Sequence, residues 1–302
     1  MTLTVRPAGP ADATALHAAV TAAFAARPPV DPPTDALVES EQDFAATLAA
    51  GGGLLAERDG EVLGGLLLAP EGDTLWLRRF GVAPAGQGHG VAGALVAAAL
   101  DRVPRGVTSV AVLAREELPE TVSFWRRQGF VPSATRPPYV ELRRPAPASY
   151  DVPDADRMHT LGASVATMLQ SGDVLVLTGE LGSGKTTFTQ GLGRGLLVRG
   201  EVTSPTFVIA RVHPSLADGP LLVHVDAYRL GGIAELDDLD LDTSLDDAVT
   251  VVEWGEGLAE GLSDDRLEVR ISRALGPATD DHDPRRVVLA PVGHRWLDVS
   301  LP

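Results

Sequence analysis

Apolar residues recur along this chain with two spacings, which divide it into extended and helical segments. Short apolar runs predict strands at residues 2–7, 54–57, 62–69, 74–82, 174–177, 221–226 and 249–253, with edge strands at 287–289 and 296–299. Apolar positions three and four apart predict helices at residues 11–25, 34–50, 93–102, 157–170 and 188–197. The mixture of both element types predicts an α/β protein.

The lengths of the segments and the linker composition predict two domains. A chain of 302 residues is expected to form two domains of about 150 residues each. Residues 147–156 are rich in proline and in small or polar residues, which predicts a linker. The predicted domains therefore span residues 1–146 and 157–302. In the second domain, the β-branched runs at 221–226 and 249–253 are typical of buried parallel strands.

Composition and charge narrow the classes of function. The chain has no cysteine, which excludes disulfides, thiolate metal sites and a cysteine nucleophile. It has no signal-peptide pattern, and its longest apolar run, residues 91–100, is too short to span a bilayer, so we expect a cytoplasmic protein without membrane contact. The net charge of −16 argues against a direct grip on nucleic acid. The acidic residues at 235–242 and 246–247 are expected to form a solvated face, or alternatively a docking surface for a basic partner.

The motif with the clearest chemistry is Gly-Glu-Leu-Gly-Ser-Gly-Lys-Thr-Thr at residues 179–187. It matches the phosphate-binding pattern G-x-x-x-x-G-K-[ST] and stands between a predicted strand and a predicted helix. Lys185 is expected at the β- and γ-phosphates of a nucleotide, and the Thr186 hydroxyl at Mg²⁺. Lys185 is the only lysine among the 25 basic residues of the chain. A forked guanidinium cannot replace a compact ammonium inside such a loop.

Two of the predicted parallel strands end in a carboxylate, Asp226 in one case and Glu253 in the other. Ligands of open α/β sheets bind at the carboxyl ends of the strands, beside the phosphate loop. A carboxylate there can hold Mg²⁺ directly or through water, or orient an attacking water. Each acid taken alone fits a strand-end cap equally well, but with the phosphate loop adjacent at least one is expected to serve the metal.

Four motifs of the second half resemble, in the same order, those of the bacterial tRNA threonylcarbamoyladenosine biosynthesis ATPases, the TsaE family. They are the phosphate loop, TSPTF at residues 203–207, HVDAYRL at 224–230 and EWGE at 253–256. The resemblance implies a P-loop NTPase α/β domain with a mainly parallel sheet. It also implies an ATPase that works with TsaD and TsaB on the N6-threonylcarbamoyl modification of adenosine 37 in tRNA, with tRNA reached through those partners. Residues 204–206 become a nucleotide-responsive switch, and Tyr228 and Arg229 become structural or partner-facing.

The same resemblance assigns residues to catalysis, ATP and magnesium. Lys185, Asp226 and Glu253 become the catalytic residues. Mg²⁺ binding falls to Thr186 and Glu253, and Asp226 becomes a second metal-side or water-orienting carboxylate. The residues implied in ATP binding are Glu180, Leu181, Gly182, Ser183, Gly184, Lys185, Thr186 and Thr187.

The first half has its own glycine-rich loop, Gln-Gly-His-Gly-Val-Ala at residues 87–92, between a predicted strand and a predicted helix. Such a loop can seat a pyrophosphate on backbone N–H groups, although the glycine spacing alone fits an ordinary turn equally well. The loop, residues 80–84 and FWRRQGF at 124–130 resemble the GCN5-related N-acetyltransferase (GNAT) family. The resemblance implies a mixed α+β sheet domain that transfers acetyl from acetyl-CoA to an amine. The residues implied in acetyl-CoA binding are Phe80, Val82, Gln87, Gly88, His89, Gly90, Val91 and Ala92.

The sequence does not identify the residues that act as acid and base in this acetyl transfer. The position at which many GNAT proteins carry the tyrosine acid is Trp125 here, and Tyr139 is the only tyrosine in this half. The candidate bases are Glu39, Glu41, Glu71 and Asp73, and their positions in the sequence do not choose among them. We expect the acetyl acceptor to be a ribosomal or tRNA-pathway protein amine, or equally a small amine or aminoglycoside-like substrate.

Two other functions share these motifs. A P-loop small-molecule kinase would use the same phosphate loop, but Arg211 is the only arginine in the short segment available for a lid. A nucleotide-gated assembly factor with slow hydrolysis and an inactive CoA-binding domain would share both loops. A tRNA-modification ATPase fused to an acetyltransferase-like domain is the leading hypothesis.

Overall fold

The protein folds as two units in the computed structural model, which describes residues 2–205, 210–229, 246–254, 263–273 and 284–302. The first unit is Met1–Ala146 and the second is Pro147–Pro302. Within the described ranges, no helix has the length and apolar character that crossing a membrane requires. The acidic run predicted at residues 235–242 lies outside the described residues.

The first unit is a mixed α+β sheet domain. Its strands are β1 (Thr4–Ala8), β2 (Gly53–Arg58), β3 (Glu61–Glu71), β4 (Thr74–Val82), β5 (Ser109–Arg115), β6 (Val131–Arg136) and β7 (Tyr139–Pro145). Its helices are α1 (Ala13–Ala25), α2 (Glu41–Gly51), α3 (Val91–Leu100) and α4 (Pro119–Arg127). The strand order is β1-β2-β3-β4-β5-β7-β6, and β4–β5 is the parallel pair in an otherwise antiparallel sheet.

Both faces of this sheet are covered, because successive strand residues point to opposite sides. Leu54 packs in the cluster that includes Leu95 of α3 and Trp125 of α4. Its neighbour Leu55 packs in the other cluster, with Leu16 of α1 and Phe44 of α2. The sheet thus lies between two pairs of helices.

The parallel pair β4–β5 opens toward its carboxyl end. The two strands pair only from Thr74 opposite Ser109 to Trp76 opposite Ala111. Farther along, β4 has a register shift against β3 and holds Arg79 at φ +53°. The separation of the strands leaves a cleft in the middle of the sheet.

The predicted helix at residues 34–50 is wrong at its start. A 3₁₀ turn at Asp35–Leu37 comes first, and α2 begins only after Ser40. Ser40 has an extended backbone, its hydroxyl accepts the N–H of Asp43, and the Asp43 carboxylate accepts the N–H of Ser40 at 2.8 Å. This capping box satisfies two backbone donors and begins a new helix.

The second unit is an α/β domain with a parallel centre. Its strands are β8 (Ala148–Val152), β9 (Val174–Thr178), β10 (Ala210–His213), β11 (Leu221–Asp226), β12 (Ala248–Glu253), β13 (Arg266–Arg273) and β14 (Arg285–Val292). Its helices are α5 (Ala155–Ala166) and α6 (Lys185–Gly195). The strand order is β10-β11-β12-β9-β13-β14-β8, and β11, β12, β9 and β13 run parallel.

Three predictions at the ends of this unit are wrong. The expected linker at 147–156 contains β8, which pairs with β14 from Val152 opposite Arg285 to Ala148 opposite Leu289. Because β8 covers β14, the strand predicted at 287–289 is not at the edge. The strand predicted at 296–299 is replaced by a 3₁₀ turn at His294–Trp296 with Trp296 fully buried. These features depend on tertiary partners, which proline content and a short alternation of apolar residues do not reveal.

Helices α5 and α6 pack backbone against backbone through glycines. A Cβ on Gly162 would clash with the carbonyl oxygen of Phe188, and a Cβ on Gly191 with that of His159. Because α6 begins at the phosphate loop, this close packing fixes the direction in which its N-terminus points.

We expect Gly191→Ala to destabilise the second unit by about 1–3 kcal/mol, because the added methyl forces the two helices apart. Urea denaturation combined with amide hydrogen exchange measures the free energy of unfolding of each unit separately. The control is Gly93→Ala in α3, where nothing lies within 4 Å of the added Cβ. That substitution should stabilise the first unit by about 0.5–1 kcal/mol. Equal effects of the two substitutions would contradict the packing argument.

Candidate functional site

The phosphate loop of the second unit links β9 to α6. Gly184 has φ +106° and is the N-cap of α6, with no side-chain cap. Gly179 has φ +150°, and a Cβ there would clash with the carbonyl oxygen of Ile271 on the neighbouring strand. The loop therefore requires glycine at both ends, and the N–H groups of the first turn of α6 stay open for an anion.

Lys185 is buried beneath this loop. Its Nζ donates to the carbonyl oxygens of Gly179 at 2.8 Å and Glu180 at 3.1 Å. It also lies 3.7 Å from the centroid of a Trp254 ring. Burial lowers the pKa of Lys185, and the charges of Glu253 and Asp226 act in the opposite direction. An incoming phosphate would compete with the two carbonyl oxygens for this ammonium.

Ser183 offers a further polar group to a phosphate. Its hydroxyl is buried and has no hydrogen-bond partner in the described part of the chain. The loop around it is held from β14, where Arg285 donates to the carbonyl oxygens of Ser183 at 3.1 Å and Gly182 at 3.3 Å. A buried hydroxyl without a partner is costly, and an anionic oxygen would satisfy it.

The two strand-end carboxylates lie beside the loop. Asp226 of β11 is opposite Glu253 of β12 in the parallel register. The Thr186 hydroxyl donates to Glu253 Oε1 at 3.1 Å, and His224 Nε2 donates to the same oxygen at 2.9 Å. Asp226 accepts the Ser204 hydroxyl at 3.3 Å and the backbone N–H of Tyr228 at 3.0 Å. Thr186 and Glu253 are thus in contact, and Asp226 is next to them.

This donor set suits Mg²⁺. A hydroxyl and two carboxylates are oxygen ligands, and Mg²⁺ is usually held by one or two carboxylates together with substrate phosphates. Among the described residues, no group of three or more His, Cys, Asp or Glu side chains is placed to hold a metal without such help. The residues present fit a magnesium ion that arrives with a nucleotide.

The remaining residues implied in ATP binding lie around the same loop. Leu181 is 85% exposed, Glu180 and Gly182 are also exposed, and Thr187 is half-buried in the first turn of α6. Thr206 of the predicted switch lies outside the described residues, as do Phe207 of the TSPTF motif and Glu256 of the EWGE motif.

His224 and Trp254 were not predicted as site residues. His224 is fully buried and orients Glu253. Trp254 follows Glu253 directly, has φ +61°, and packs its ring between Lys185 and Tyr228. Both occur in the motifs that carry the family resemblance, but the spacing of the residues gave no role to either.

A cavity of about 510 Å³ occupies the cleft between β4 and β5 of the first unit. Four of the residues implied in acetyl-CoA binding line it, namely Phe80, Val82, Gln87 and Ala92. Gly88 and Gly90 have φ +73° and +76°, Val91 begins α3 and is buried, and His89 is exposed with its ring against the Gln87 carbonyl oxygen. The eight residues therefore lie along the loop and strand that border one cavity.

Trp125 also lines this cavity, in place of a tyrosine acid. Its ring packs 4.9 Å from that of Phe80 and 5.0 Å from that of Phe130. Tyr139 lines the same cavity, with the Arg115 guanidinium carbon 5.2 Å from its ring centroid. The cavity thus contains a phenol, but on β7 rather than on α4.

The four candidate bases lie elsewhere. Each makes another contact: Glu39 with Arg79, Glu41 with Thr14, Glu71 with Arg78, and Asp73 with Thr74 and Thr108. None of them lines the cavity, whereas Asp35 and Glu120 do. The sequence gives no signal for these two acids, because their position depends on how the strands separate.

Comparisons with known proteins agree with this division. Residues 152–279 match the family described as threonylcarbamoyl adenosine biosynthesis protein TsaE, and residues 17–130 match the acetyltransferase (GNAT) family. The tRNA threonylcarbamoyladenosine biosynthesis protein TsaE of Streptomyces coelicolor is 61% identical over 147 residues, which cover 48% of this chain and 98% of that protein. The TsaE protein of Bacillus subtilis is 40% identical over 133 residues, 43% of this chain and 77% of that protein.

Solved structures resemble each unit separately. YdiB of Bacillus subtilis is 32% identical with a TM-score of 0.39, covering 50% of this chain and 88% of that one. The ribosomal-protein-S18-alanine N-acetyltransferase of Escherichia coli is 18% identical with a TM-score of 0.40, covering 48% of this chain and 94% of that one.

The fold and the site define a P-loop nucleotide-binding unit joined to an acetyltransferase-type unit. The chain belongs to the TsaE family of threonylcarbamoyl adenosine biosynthesis proteins, and its first unit is a fused domain of the GNAT type.

A second buried imidazole, His213, lies near His224 at the end of β10. Burial lowers the pKa of His213, and the charges of His224 and Arg211 add to this, while a hydrogen bond to the backbone of Arg199 opposes it. Its Nε2 has no partner among the described residues. The ring is therefore expected to be neutral in the folded protein at pH 7.

We expect the second unit to lose stability as the pH falls below about 6.5, the ordinary pKa of histidine in an unfolded chain. Below that pH the unfolded state binds a proton at His213 more readily than the folded state does. The contribution of the neutral His213 to the free energy of unfolding is therefore present above that pH and lost below it. Melting temperatures between pH 7.5 and 5.5 measure the effect. The melting temperature of His213→Gln should depend less on pH than that of the wild type. The control His294→Gln changes an exposed histidine and should keep the pH dependence of the wild type.

Proposed function

We propose that the second unit is an ATPase of tRNA threonylcarbamoyladenosine biosynthesis that works with TsaD- and TsaB-type partners in the cytoplasm. The observation that carries the proposal is the contact of Thr186 with Glu253, whose charge acts on the buried Lys185 next to Thr186 in the phosphate loop. The similarity to the tRNA threonylcarbamoyladenosine biosynthesis protein TsaE of Streptomyces coelicolor supports the pathway. The net charge of −16 supports a protein that reaches tRNA through partners rather than by its own basic surface.

Each residue of the site has a distinct task in this proposal. The N–H groups of residues 180–187 and the Ser183 hydroxyl bind the phosphates of ATP. Lys185 exchanges its bonds to the Gly179 and Glu180 carbonyl oxygens for bonds to phosphate oxygens. Thr186 and Glu253 would hold Mg²⁺, which would supply positive charge against the phosphates. Asp226 would orient the attacking water or serve as a second carboxylate for the metal.

We expect Lys185→Ala to lower ATP turnover, measured with the TsaD- and TsaB-type partners, by about 100- to 1,000-fold, because one preorganised cationic donor is lost from the site. Glu253→Gln should instead raise the Mg²⁺ concentration needed for half-maximal turnover. The matched control is Arg194→Ala, an exposed cation on the same helix, and it should leave turnover unchanged.

The products decide between the functions. ADP and free phosphate, formed faster with partners present, support the ATPase. Phosphate found on an added metabolite would support the kinase instead. Turnover that survives Lys185→Ala would contradict both.

We also propose that the first unit binds acetyl-CoA and transfers its acetyl group to an amine. The alignment of Phe80, Val82 and Gln87 along one cavity carries this proposal. The uncapped N-terminus of α3, after Gly90, would receive the pyrophosphate. Asp35 or Glu120 would take the proton of the attacking amine, directly or through water, and Tyr139 would donate a proton to the departing thiolate.

We expect Tyr139→Phe to lower kcat of acetyl transfer by about 100- to 10,000-fold, because the phenol is the proton donor. The affinity for acetyl-CoA, measured by isothermal titration, should change little. The control Tyr150→Phe alters a tyrosine of the second unit, whose hydroxyl donates to Pro302. A full rate in Tyr139→Phe would remove Tyr139 from the mechanism without affecting acetyl-CoA binding.

A further inference from the structure

Four arginines line the cleft cavity of the first unit, and three of them are neutralised by a carboxylate. Arg78 pairs with Glu71 at 2.6 Å and Arg115 with Glu117 at 2.8 Å. Arg79 pairs with Glu39. The fourth, Arg27, has no carboxylate partner in the described part of the chain. Arg27 thus differs from the other three arginines although the protein has more acidic residues (41) than basic ones (25).

Arg27 makes two contacts, and neither neutralises its charge. One terminal nitrogen donates to the carbonyl oxygen of Phe80 at 3.0 Å, and the guanidinium carbon lies 3.8 Å from the centroid of the Phe24 ring. Its Nε and Nη1 have no hydrogen bond within the described residues. Burial lowers the pKa of Arg27, and no carboxylate opposes this. A partly desolvated cation without a counter-charge is unfavourable, and an anion would relieve it.

Arg27 also borders a second cavity, of about 360 Å³. Its wall is mostly apolar and includes Pro28, Pro29, Val30, Pro33 and Leu37. Neither Gln87 nor Ala92, which mark the acetyl-CoA loop in the first cavity, borders it. Arg27 therefore stands between the expected cofactor cavity and an apolar pocket that the loop does not reach.

We propose that Arg27 binds the carboxylate of the acetyl acceptor, and that the acceptor is a small amine carrying both a carboxylate and an apolar group. The inference rests on the acetyl transfer proposed above. A guanidinium binds a carboxylate through paired hydrogen bonds, which fixes the orientation of the acceptor amine. The apolar group of the acceptor fills the proline-lined cavity. A polycationic amine would instead meet Arg27 as a like charge.

The test compares matched amines with the full-length protein and acetyl-CoA. One series is L-leucine, L-leucinamide and 3-methylbutylamine, and the second is 6-aminohexanoate, 6-aminohexanamide and pentylamine. Within a series, the first member carries a carboxylate, the second carries an amide at the same position, and the third carries neither group. The two series differ in the distance between the amine and the carboxylate. We expect the carboxylate member of at least one series to have a kcat/KM at least ten times that of its partners, read as thiol release.

Two variants then assign that preference to Arg27. Arg27→Gln should abolish the preference, and Arg27→Lys should retain part of it, because an ammonium keeps the charge but not the paired geometry. Arg78→Gln, which changes a neutralised arginine of the first cavity alone, should keep it. Melting temperatures and isothermal titration with acetyl-CoA confirm that each variant is folded and binds the donor.

The outcomes separate the possible anions. A tenfold or larger loss of acetyl-CoA affinity in Arg27→Gln, with the acceptor preference intact, would assign Arg27 to a phosphate of the cofactor and overturn the proposal. Acetyl-CoA binding by the wild type with no carboxylate preference in either series would overturn it as well. No acetyl-CoA binding by the wild type would overturn the proposed acetyl transfer itself.

Discussion

Both glycine-rich loops of this protein end in a glycine whose own backbone is left-handed. This glycine is the N-cap of the helix that follows, and it provides no side-chain cap. Gly90 precedes α3 and Gly184 precedes α6 in this way. By contrast, Ser40 and Asp154 cap α2 and α5 with their own oxygens. A side-chain cap occupies N–H groups that an anion would otherwise bind. The same backbone constraint therefore leaves the first-turn N–H groups of two helices, in two different folds, free of a side-chain cap, and the proposed site of each unit is arranged around them.

In the second unit, charged side chains lie beside the N-terminus of α6. The parallel register sets Asp226 beside Glu253, and two neighbouring carboxylates repel each other. Donors from several elements offset that repulsion: Thr186 and His224 for Glu253, Ser204 and Tyr228 for Asp226. Lys185 supplies the compensating positive charge. The close packing of α5 on α6 holds these groups in place, because glycines let the helix approach without displacing the loop.

The sequence was sufficient for the elements that a local pattern defines. The phosphate loop, the strands that end in Asp226 and Glu253, and the two-domain α/β class all follow from short motifs and apolar runs. Features that depend on a distant partner did not follow. Strand β8 has the composition of a linker and becomes a strand only because β14 lies beside it. Trp296 alternates with polar residues but is buried as a core residue within a turn.

The acetyltransferase-type site shows the same limit. Its glycine-rich loop was recognisable, but the cavity exists because β4 and β5 separate after Trp76 and Ala111. The acids that border the cavity are Asp35, in a 3₁₀ turn, and Glu120, at the start of α4, and both lie outside the motifs that the sequence offers. The candidate bases chosen from the sequence were carboxylates engaged in contacts of their own. Oppositely charged side chains that are distant in the sequence pair in the folded protein. The order of residues in the sequence does not show which charged side chains are left without a partner.

The junction between the units has a consequence for how this chain can be divided. The N–H of Ala146 bonds to Thr108 in the first unit, and Ala148 already pairs with Leu289 in the second. In the part of the chain that the structure describes, Pro147 alone separates these two anchors. A protease or a gene fission acting at the expected boundary near residue 157 would remove the edge strand β8 from the sheet of the second unit. The two units therefore share no long spacer in the sequence, because Pro147 alone lies between residues that are hydrogen-bonded within each of them.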